Sequence, residues 1–379
     1  MAIHFELHYT KSQMVAMLCF ATMFLMIGYN INDCEKADYY ESRRITASIA
    51  SYHLGEIKVD KPFAYYILTE KCLSPTLLDS IALGDKTRCD VYVNSYQEQC
   101  DDQNTPAHVK YIYSSKTTWT SGRNMLYEYA KATKKQYFYH IFMDDDAIPI
   151  YTEHVIEFGK RFNHREGDAT LFQDYIQSEK GLKDAVDYQM DGKSAWRQFE
   201  DDLLIKSPAF AVTNLIRLPD GFESRLRMHK HWEEVCPKEK EMPPTVTTFY
   251  FDELFIAFHR EAVPLLLPYT TMFDNISWHL AGVINIFRAR ALLYKHGMAN
   301  YKISVVNHKH RFYPRGKIPR DLIKQYLRKD GKDIKGLIDS RELDYNKFSS
   351  WEQWEEVFMH TKDICTEQIK FPLWRHYRQ

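Results

Sequence analysis

Three adjacent carboxylates, Asp144, Asp145 and Asp146, close an apolar and aromatic run, Tyr137 to Met143. Carboxylate oxygens delivered to one point by a strand make a hard anionic site, which suits Mg²⁺ or Mn²⁺ better than a soft metal. If the strand persists through them, Asp144 and Asp146 share a side and Asp145 opposes them. Upstream, Lys116 and Ser121-Gly122-Arg123-Asn124 precede a helical segment, Met125 to Lys135. A helix amino terminus with a glycine and a cation offers N–H groups, dipole and charge to an anion. Downstream, His308 and His310 lie in a basic, aromatic run with Lys309, Arg311 and Arg315 after Val305-Val306. Neutral imidazole is an acceptable ligand for Mn²⁺, and the cations suit a departing phosphate.

Other carboxylates are placed to act on protons. Asp252 and Glu253 end an aromatic strand-like segment, and Asp274 stands in Phe-Asp-Asn-Ile-Ser-Trp-His. Each is a candidate general base for an acceptor hydroxyl, although Asp252 is equally well placed to cap a helix. Trp278 and His279 stand where a sugar platform would be, with a core tryptophan as the plainer reading. Asp201 and Asp202 read as solvated turn residues.

These side chains need a frame, and the apolar pattern supplies one. Phe63 to Leu68, Asp90 to Asn94, Val109 to Tyr113 and Tyr137 to Met143 read as strands. Ser74-Pro75 with Leu77, Leu78, Ile81 and Ala82 reads as one amphipathic helix, capped by Ser74 and closed by Gly84 in a left-handed conformation. Another helix is expected near His154 to Phe162. Leu203 to Thr213 reads as a buried strand bent at Ser207-Pro208. Strands alternating with helices predict an α/β domain with a mostly parallel sheet covered on both faces. In such sheets ligands collect outside the carboxyl ends of the strands, where the three aspartates lie.

An apolar strand running into Asp-Asp-Asp, in an α/β domain behind a short amino-terminal apolar segment, resembles the GT-A fold glycosyltransferases of the Golgi and endoplasmic reticulum. The resemblance covers about residues 61 to 315 and rests on layout and one short motif. It implies a Rossmann-like domain in which an Asp-x-Asp element holds Mn²⁺ (or Mg²⁺) against the diphosphate of a nucleotide sugar. By that resemblance Asp146 is the direct metal ligand, Asp144 contacts the metal or ribose, and Asp145 faces the sugar or a basic partner. Lys116, Gly122, Arg123, Lys309 and Arg311 would contact the donor, and His308 or His310 would complete the metal shell. The partners implied are a nucleotide-sugar donor, UDP-linked by expectation, and a glycan or glycoprotein acceptor.

The remaining segments set the compartment. Residues 1–11 read as a cytoplasmic tail and 12–31 as a transmembrane signal anchor, since Met14 to Ile31 carries no charge and rises roughly 27 Å as a helix. Residues 32–60 read as a stem, 61–315 as the catalytic domain and 316–379 as a helical extension. Outside the apolar span, Cys34, Cys72, Cys89, Cys100, Cys236 and Cys365 allow up to three disulfides in an oxidising lumen. Asn275-Ile276-Ser277 is an N-glycosylation sequon. Fifty basic against fifty-one acidic residues leave no field to hold nucleic acid. Two other classes compete: a catalytically silent ectodomain that binds glycans or a protein, and a phosphatase or phosphotransferase with Asp144 as nucleophile. The second class carries Thr or Val after its acidic pair, where this chain has Ile148 and Pro149.

Overall fold

The structure is a computed structural model that describes residues 59–307 apart from 101–104, 156–174, 176–177, 217–242, 249–250, 252, 277 and 294–295. The expected tail, anchor, nearly all of the stem and the carboxy-terminal extension lie outside the described residues. Among the described residues no helix is long and apolar enough to cross a membrane.

In chain order the strands are β1 (Phe63–Thr69), β2 (Cys89–Ser95), β3 (Val109–Tyr113), β4 (Tyr139–Asp144), β5 (Ala147–Tyr151), β6 (Gln189–Met190), β7 (Lys193–Ser194), β8 (Phe210–Ile216), β9 (Thr245–Thr247), β10 (Phe255–His259) and β11 (Gly297–Asn307). The helices are α1 (Pro75–Leu78), α2 (Ile81–Gly84), α3 (Trp119–Ala132), α4 (Glu179–Asp187), α5 (Ala195–Lys206), α6 (Val263–Leu266) and α7 (His279–Leu292). Nine strands form one sheet in the order β3-β2-β1-β4-β10-β8-β11-β5, with β9 also on β11. The pairs among β1 to β4 are parallel, whereas β10 runs antiparallel to both β4 and β8. The sheet is therefore mixed rather than mostly parallel, because an apolar run marks a buried strand without fixing its direction.

Alternation along the strands sorts two cores. Phe63, Tyr65 and Ile67 of β1 and Tyr139, Ile141 and Met143 of β4 face α1, α2, α4 and α5. Ala64, Tyr66, Leu68 and Phe142 face α3, α6 and α7. Asp144 continues the Phe142 side, so the first carboxylate points toward α3.

Several expected elements moved. Residues 74–84 form two short helices, because Ser80 accepts from the Leu83 N–H and starts a second cap. Gly84 belongs to α2 and is not among the glycines with positive φ. α3 begins at Trp119, earlier than Met125. Asp201 and Asp202 lie within α5, where Asp201 pairs with Arg88 and Lys193, and Asp202 accepts from Asn300 and Gln198. The helix continues to Lys206, and Ser207 turns the chain at φ 49° before β8. Residues 152–155 are helical, and the rest of the helix expected there lies outside the described residues. Cys72 and Cys100 form a disulfide, while Cys89 is a buried free thiol, so it supplies no bridge.

β5 was not expected, since Pro149 interrupts its pattern. It is an edge strand, the position that tolerates a proline. Only Asp145 and Asp146 join β4 to β5, a link that spans at most about 11 Å. Four strand spacings in a flat sheet would require roughly 19 Å. The sheet must therefore curl at this end, and β11 has a register irregularity between Asn300 and Ser304 in its pairing with β8. Beyond it, Asn307 pairs with Ala147, the residue after Asp146.

Candidate active site at the end of β4

Strand order reverses at β1: β2 and β3 extend the sheet on one side and β4 on the other. In sheets of this kind such a reversal marks the place, outside the carboxyl ends of β1 and β4, where ligands collect. The acidic residues sit there. The Asp145 N–H donates to the Leu68 carbonyl at 3.1 Å, and the Asp144 N–H to the Leu254 carbonyl at 3.1 Å. The strand ends at Asp144, and Asp145 and Asp146 form a turn, so strict alternation stops one residue into the motif.

The three carboxylates are consequently in different surroundings. Asp144 accepts from Arg123 Nη2 at 2.8 Å and from Trp119 Nε1 at 3.1 and 3.3 Å. Asp145 Oδ2 lies 3.0 Å from the Thr69 hydroxyl, which divides its single proton between this carboxylate and the Lys71 carbonyl at 2.6 Å. Asp146 is half-buried in the turn, as is Asp145. Asp144 therefore has a basic partner of its own in Arg123. Burial raises the Asp144 carboxyl above its ordinary pKa, with the Arg123 guanidinium pulling the other way.

Arg123 is not a surface cation. It has no solvent exposure and lies on the stripe of α3, with Leu126 and Ala130, that packs on the sheet. Its guanidinium carbon stands 3.9 Å from the centroid of the Trp119 ring, and Nη1 is 3.9 Å from Glu253 Oε2. Burial alone would lower its pKa, but Asp144, Tyr269 and Glu253 hold it above the ordinary arginine value. A donor molecule cannot reach this side chain without displacing its neighbours. The expected donor contact by Arg123 is thus replaced by an interior ion pair.

Glu253 is buried as well, and Gly282 of α7 faces it: a Cβ there would stand 3.0 Å from Glu253 Cγ. A general base must reach the acceptor hydroxyl, so this inward carboxylate is an interior partner of Arg123 rather than a base. Gly122 also has a packing role, since a Cβ on it would lie 2.8 Å from both Asn94 Nδ2 and Leu68 Cδ2. Lys116 is exposed in the turn before α3.

The amino terminus of α3 already has its partners. Ser121 N–H donates to Thr118 Oγ1 at 3.0 Å, and Thr118 N–H donates to Ser121 Oγ at 2.8 Å. The Thr118 hydroxyl also contacts Asp274 Oδ2. The anion at this helix end is the protein's own Asp274, which corrects two expectations at once: a free anion cradle and a catalytic Asp274. The segment carrying Asp274 is fastened further by Asn124, whose amide donates to the Tyr269 carbonyl at 2.8 Å and accepts from the Tyr269 N–H at 2.7 Å. Trp278 is half-buried against Trp119, with ring centroids 4.8 Å apart.

Asp252, His308, Lys309, His310 and Arg311 lie outside the described residues. Sequence reasoning missed Thr69, Trp119 and Tyr269. Trp119 had a usable signal, because it precedes Arg123 by four residues on the same helix face.

Among the described residues no group of three or more His, Cys, Asp or Glu side chains is arranged to hold a metal ion. The turn nevertheless has the right chemistry for a hard cation, with two half-buried carboxylates at the strand ends. Mg²⁺-type sites commonly use one or two carboxylates and take their other ligands from substrate phosphate and water.

No protein-family model matches the chain. No curated protein matches it either. A solved structure described as "Crystal Structure of A197 from STIV" is similar at 10% identity and a TM-score of 0.29, covering 67% of this chain and 87% of that one.

Proposed function

We propose that the protein is a metal-dependent glycosyltransferase of the GT-A kind, moving a sugar from a nucleotide-sugar donor, UDP-linked by preference, to a hydroxyl of a glycan or glycoprotein acceptor in the secretory pathway. The observation that carries this reading is the Asp145-Asp146 turn at the carboxyl ends of β1 and β4, where the strand order reverses. The first four strands, in the order β3-β2-β1-β4, have the parallel arrangement of a nucleotide-binding half-domain. The register of β11 adds a second support, because Asn307 pairs beside the turn and His308 is the next residue in the chain.

On this reading Asp145 and Asp146 hold Mn²⁺ or Mg²⁺, with His308 or His310 in the shell. The bound cation would stabilise the charge that develops on the leaving diphosphate. Thr69 orients Asp145 through its hydroxyl, and the two backbone hydrogen bonds from Asp144 and Asp145 hold the turn against β1 and the residue before β10. Lys116, Lys309 and Arg311 are the cations that remain for the phosphates, since Arg123 is committed to Asp144. Asp252 is the remaining candidate for the acceptor's general base. The phosphatase alternative gains nothing from the geometry, because the carboxylate it needs as nucleophile is engaged by Arg123 and Trp119.

The test is a thermal-shift screen of the purified full chain against nucleotide sugars, with and without Mn²⁺. A ligand that binds only the folded state at about 100 times its Kd stabilises by ~2.7 kcal/mol, a readily measured rise in Tm. A rise that needs Mn²⁺ and disappears in Asp146→Ala is expected. No rise with any nucleotide sugar, in a protein that unfolds cooperatively, would leave the silent ectodomain as the better reading.

A further inference from the structure

We infer that Arg123 is a positioning residue for the metal-binding turn: it clamps Asp144 from inside the protein and so sets where Asp145 and Asp146 present their oxygens. The inference rests on the metal reading above and adds a division of labour within the three aspartates. Asp144 is an anchor, and the two residues after it bind.

The geometry behind this is an interior stack with the guanidinium at its centre. On one side the Trp119 ring lies 3.9 Å from Arg123 Cζ, and Trp278 packs on Trp119 in turn. Glu253 approaches Nη1, with Gly282 leaving it room. Nη2 is thereby aimed at Asp144 Oδ1, while Trp119 Nε1 approaches the same carboxylate from α3. Two donors from one helix therefore grip the last residue of β4. Arg123 has no exposed surface to offer a ligand. An arginine buried in this way is costly unless its charge is answered, so the cluster has a function that a hydrophobic core position would not need.

The consequence for the turn is direct. Asp144 is followed at once by the two half-buried carboxylates, and its side chain ties the end of β4 to α3. A second tie is the Thr69 hydroxyl on Asp145. Groups that orient metal ligands without touching the metal typically change affinity by about 10- to 100-fold when removed.

The alternative assignment makes Asp144 itself a ligand, with Arg123 competing against the metal for it. The two assignments differ in sign. Removing the guanidinium should weaken Mn²⁺ binding if Arg123 positions the turn, and should strengthen it or leave it alone if Arg123 competes.

The experiment measures Mn²⁺ affinity of the full chain by water-proton relaxation, together with Tm in the absence of metal, for wild type, Arg123→Met, Arg123→Lys, Trp119→Phe and Asp146→Ala. We expect Asp146→Ala to abolish binding and Arg123→Met to weaken it at least tenfold. Arg123→Lys should recover part of the loss, because it restores the charge without the planar fork. Trp119→Phe keeps the ring stack, removes one donor to Asp144, and should weaken Mn²⁺ binding several-fold while remaining folded even where Arg123→Met does not. A purely structural role would lower Tm and leave the affinity of the folded protein unchanged. Unchanged or tighter Mn²⁺ binding in Arg123→Lys and Trp119→Phe, with Asp146→Ala still defective, overturns the inference and leaves the metal reading standing. Failure of the wild type to bind Mn²⁺, with or without a nucleoside diphosphate, overturns both.

Discussion

At Gly122 two opposing effects of similar size meet. Alanine in a helix is favoured over glycine by about 1 kcal/mol. Its Cβ would lie 2.8 Å from Asn94 Nδ2 and from Leu68 Cδ2, closer than real contacts allow. The Asn94 amide is held at 2.9 Å by Thr117 Oγ1 and Leu68 is buried between β1 and α3, so neither neighbour gives way freely. Overpacking of this kind costs about 1–3 kcal/mol and outweighs the propensity gain. Gly122→Ala is expected to destabilise by about 1 kcal/mol, read as a lower urea midpoint with unchanged slope, and a midpoint at or above wild type would refute the close packing. The residue was visible in the sequence as a helix-start glycine, but its reason was not. An anion cradle and a tight helix-on-sheet contact both ask for glycine, and only the neighbours decide. The same ambiguity governed Arg123: a cation near the acidic motif is legible as functional, while its place on the buried stripe of α3 depends on where that helix begins. Moving the start from Met125 to Trp119 changes which side chains share a face. The three aspartates were legible as a site, yet their separate roles follow from the strand ending at the first of them.

Between elements, charge adds to the shared apolar core in joining the α1–α2 segment to α5. Asp85, just after α2, accepts from Arg197 Nη2 at 2.7 Å, and Arg197 Nη1 reaches Glu200 Oε2 at 3.0 Å on the same helix. Arg88 Nε meets the same Glu200 oxygen at 2.9 Å. Burial pushes the Asp85 carboxyl upward, but hydrogen bonds from Thr87 and Arg197 outweigh it and bring the pKa from 3.8 down to about 2. The folded value lies below the unfolded one, so the contribution is present above pH ~4 and is lost as pH falls toward ~2. Asp85→Asn should therefore cost about 2 kcal/mol at neutral pH, and the gap from wild type should close by pH ~2. Denaturant unfolding of both proteins at pH 2.5, 4 and 7 checks this, and a gap that stays constant across the series would sink it. This network was beyond the reach of sequence periodicity, which marked Asp201 as a solvated turn residue when it belongs to α5. The short strand β3, rich in Val, Ile and Tyr, was recovered at its bounds. The Ser80 cap was missed because it rests on one residue's local hydrogen bonding, whereas the bend at Ser207 was expected and the helix leading into it was not.

At the scale of the whole molecule, the open matter is which compartment the folded body occupies, and two described features bear on it. The Cys72–Cys100 disulfide joins the segments following β1 and β2, at the carboxyl ends of the parallel strands, where the acidic turn also lies. Such a bond persists in an oxidising compartment and is rare in a reducing one. Asn275 is exposed, and its neighbours Met272 and Ile276 are 60% and 51% exposed, so the acceptor asparagine is accessible. The segment's attachment runs through Asp274 and Tyr269, and Asn275 itself is exposed. A lumenal body should therefore carry N-linked glycan at this position. The full chain expressed in secretory cells is expected to gain mobility on a denaturing gel after treatment with an N-glycosidase, and Asn275→Gln is expected to migrate at that faster position without treatment. Because the described hydrogen bonds that hold the segment are made by Asp274 and Tyr269 and not by Asn275, Asn275→Gln should leave the Mn²⁺-dependent rise in Tm unchanged. A wild-type chain with no glycosidase-sensitive mobility, and with Cys72 and Cys100 both recovered as thiols under alkylation, would place the body in a reducing compartment and remove the secretory part of the proposed function.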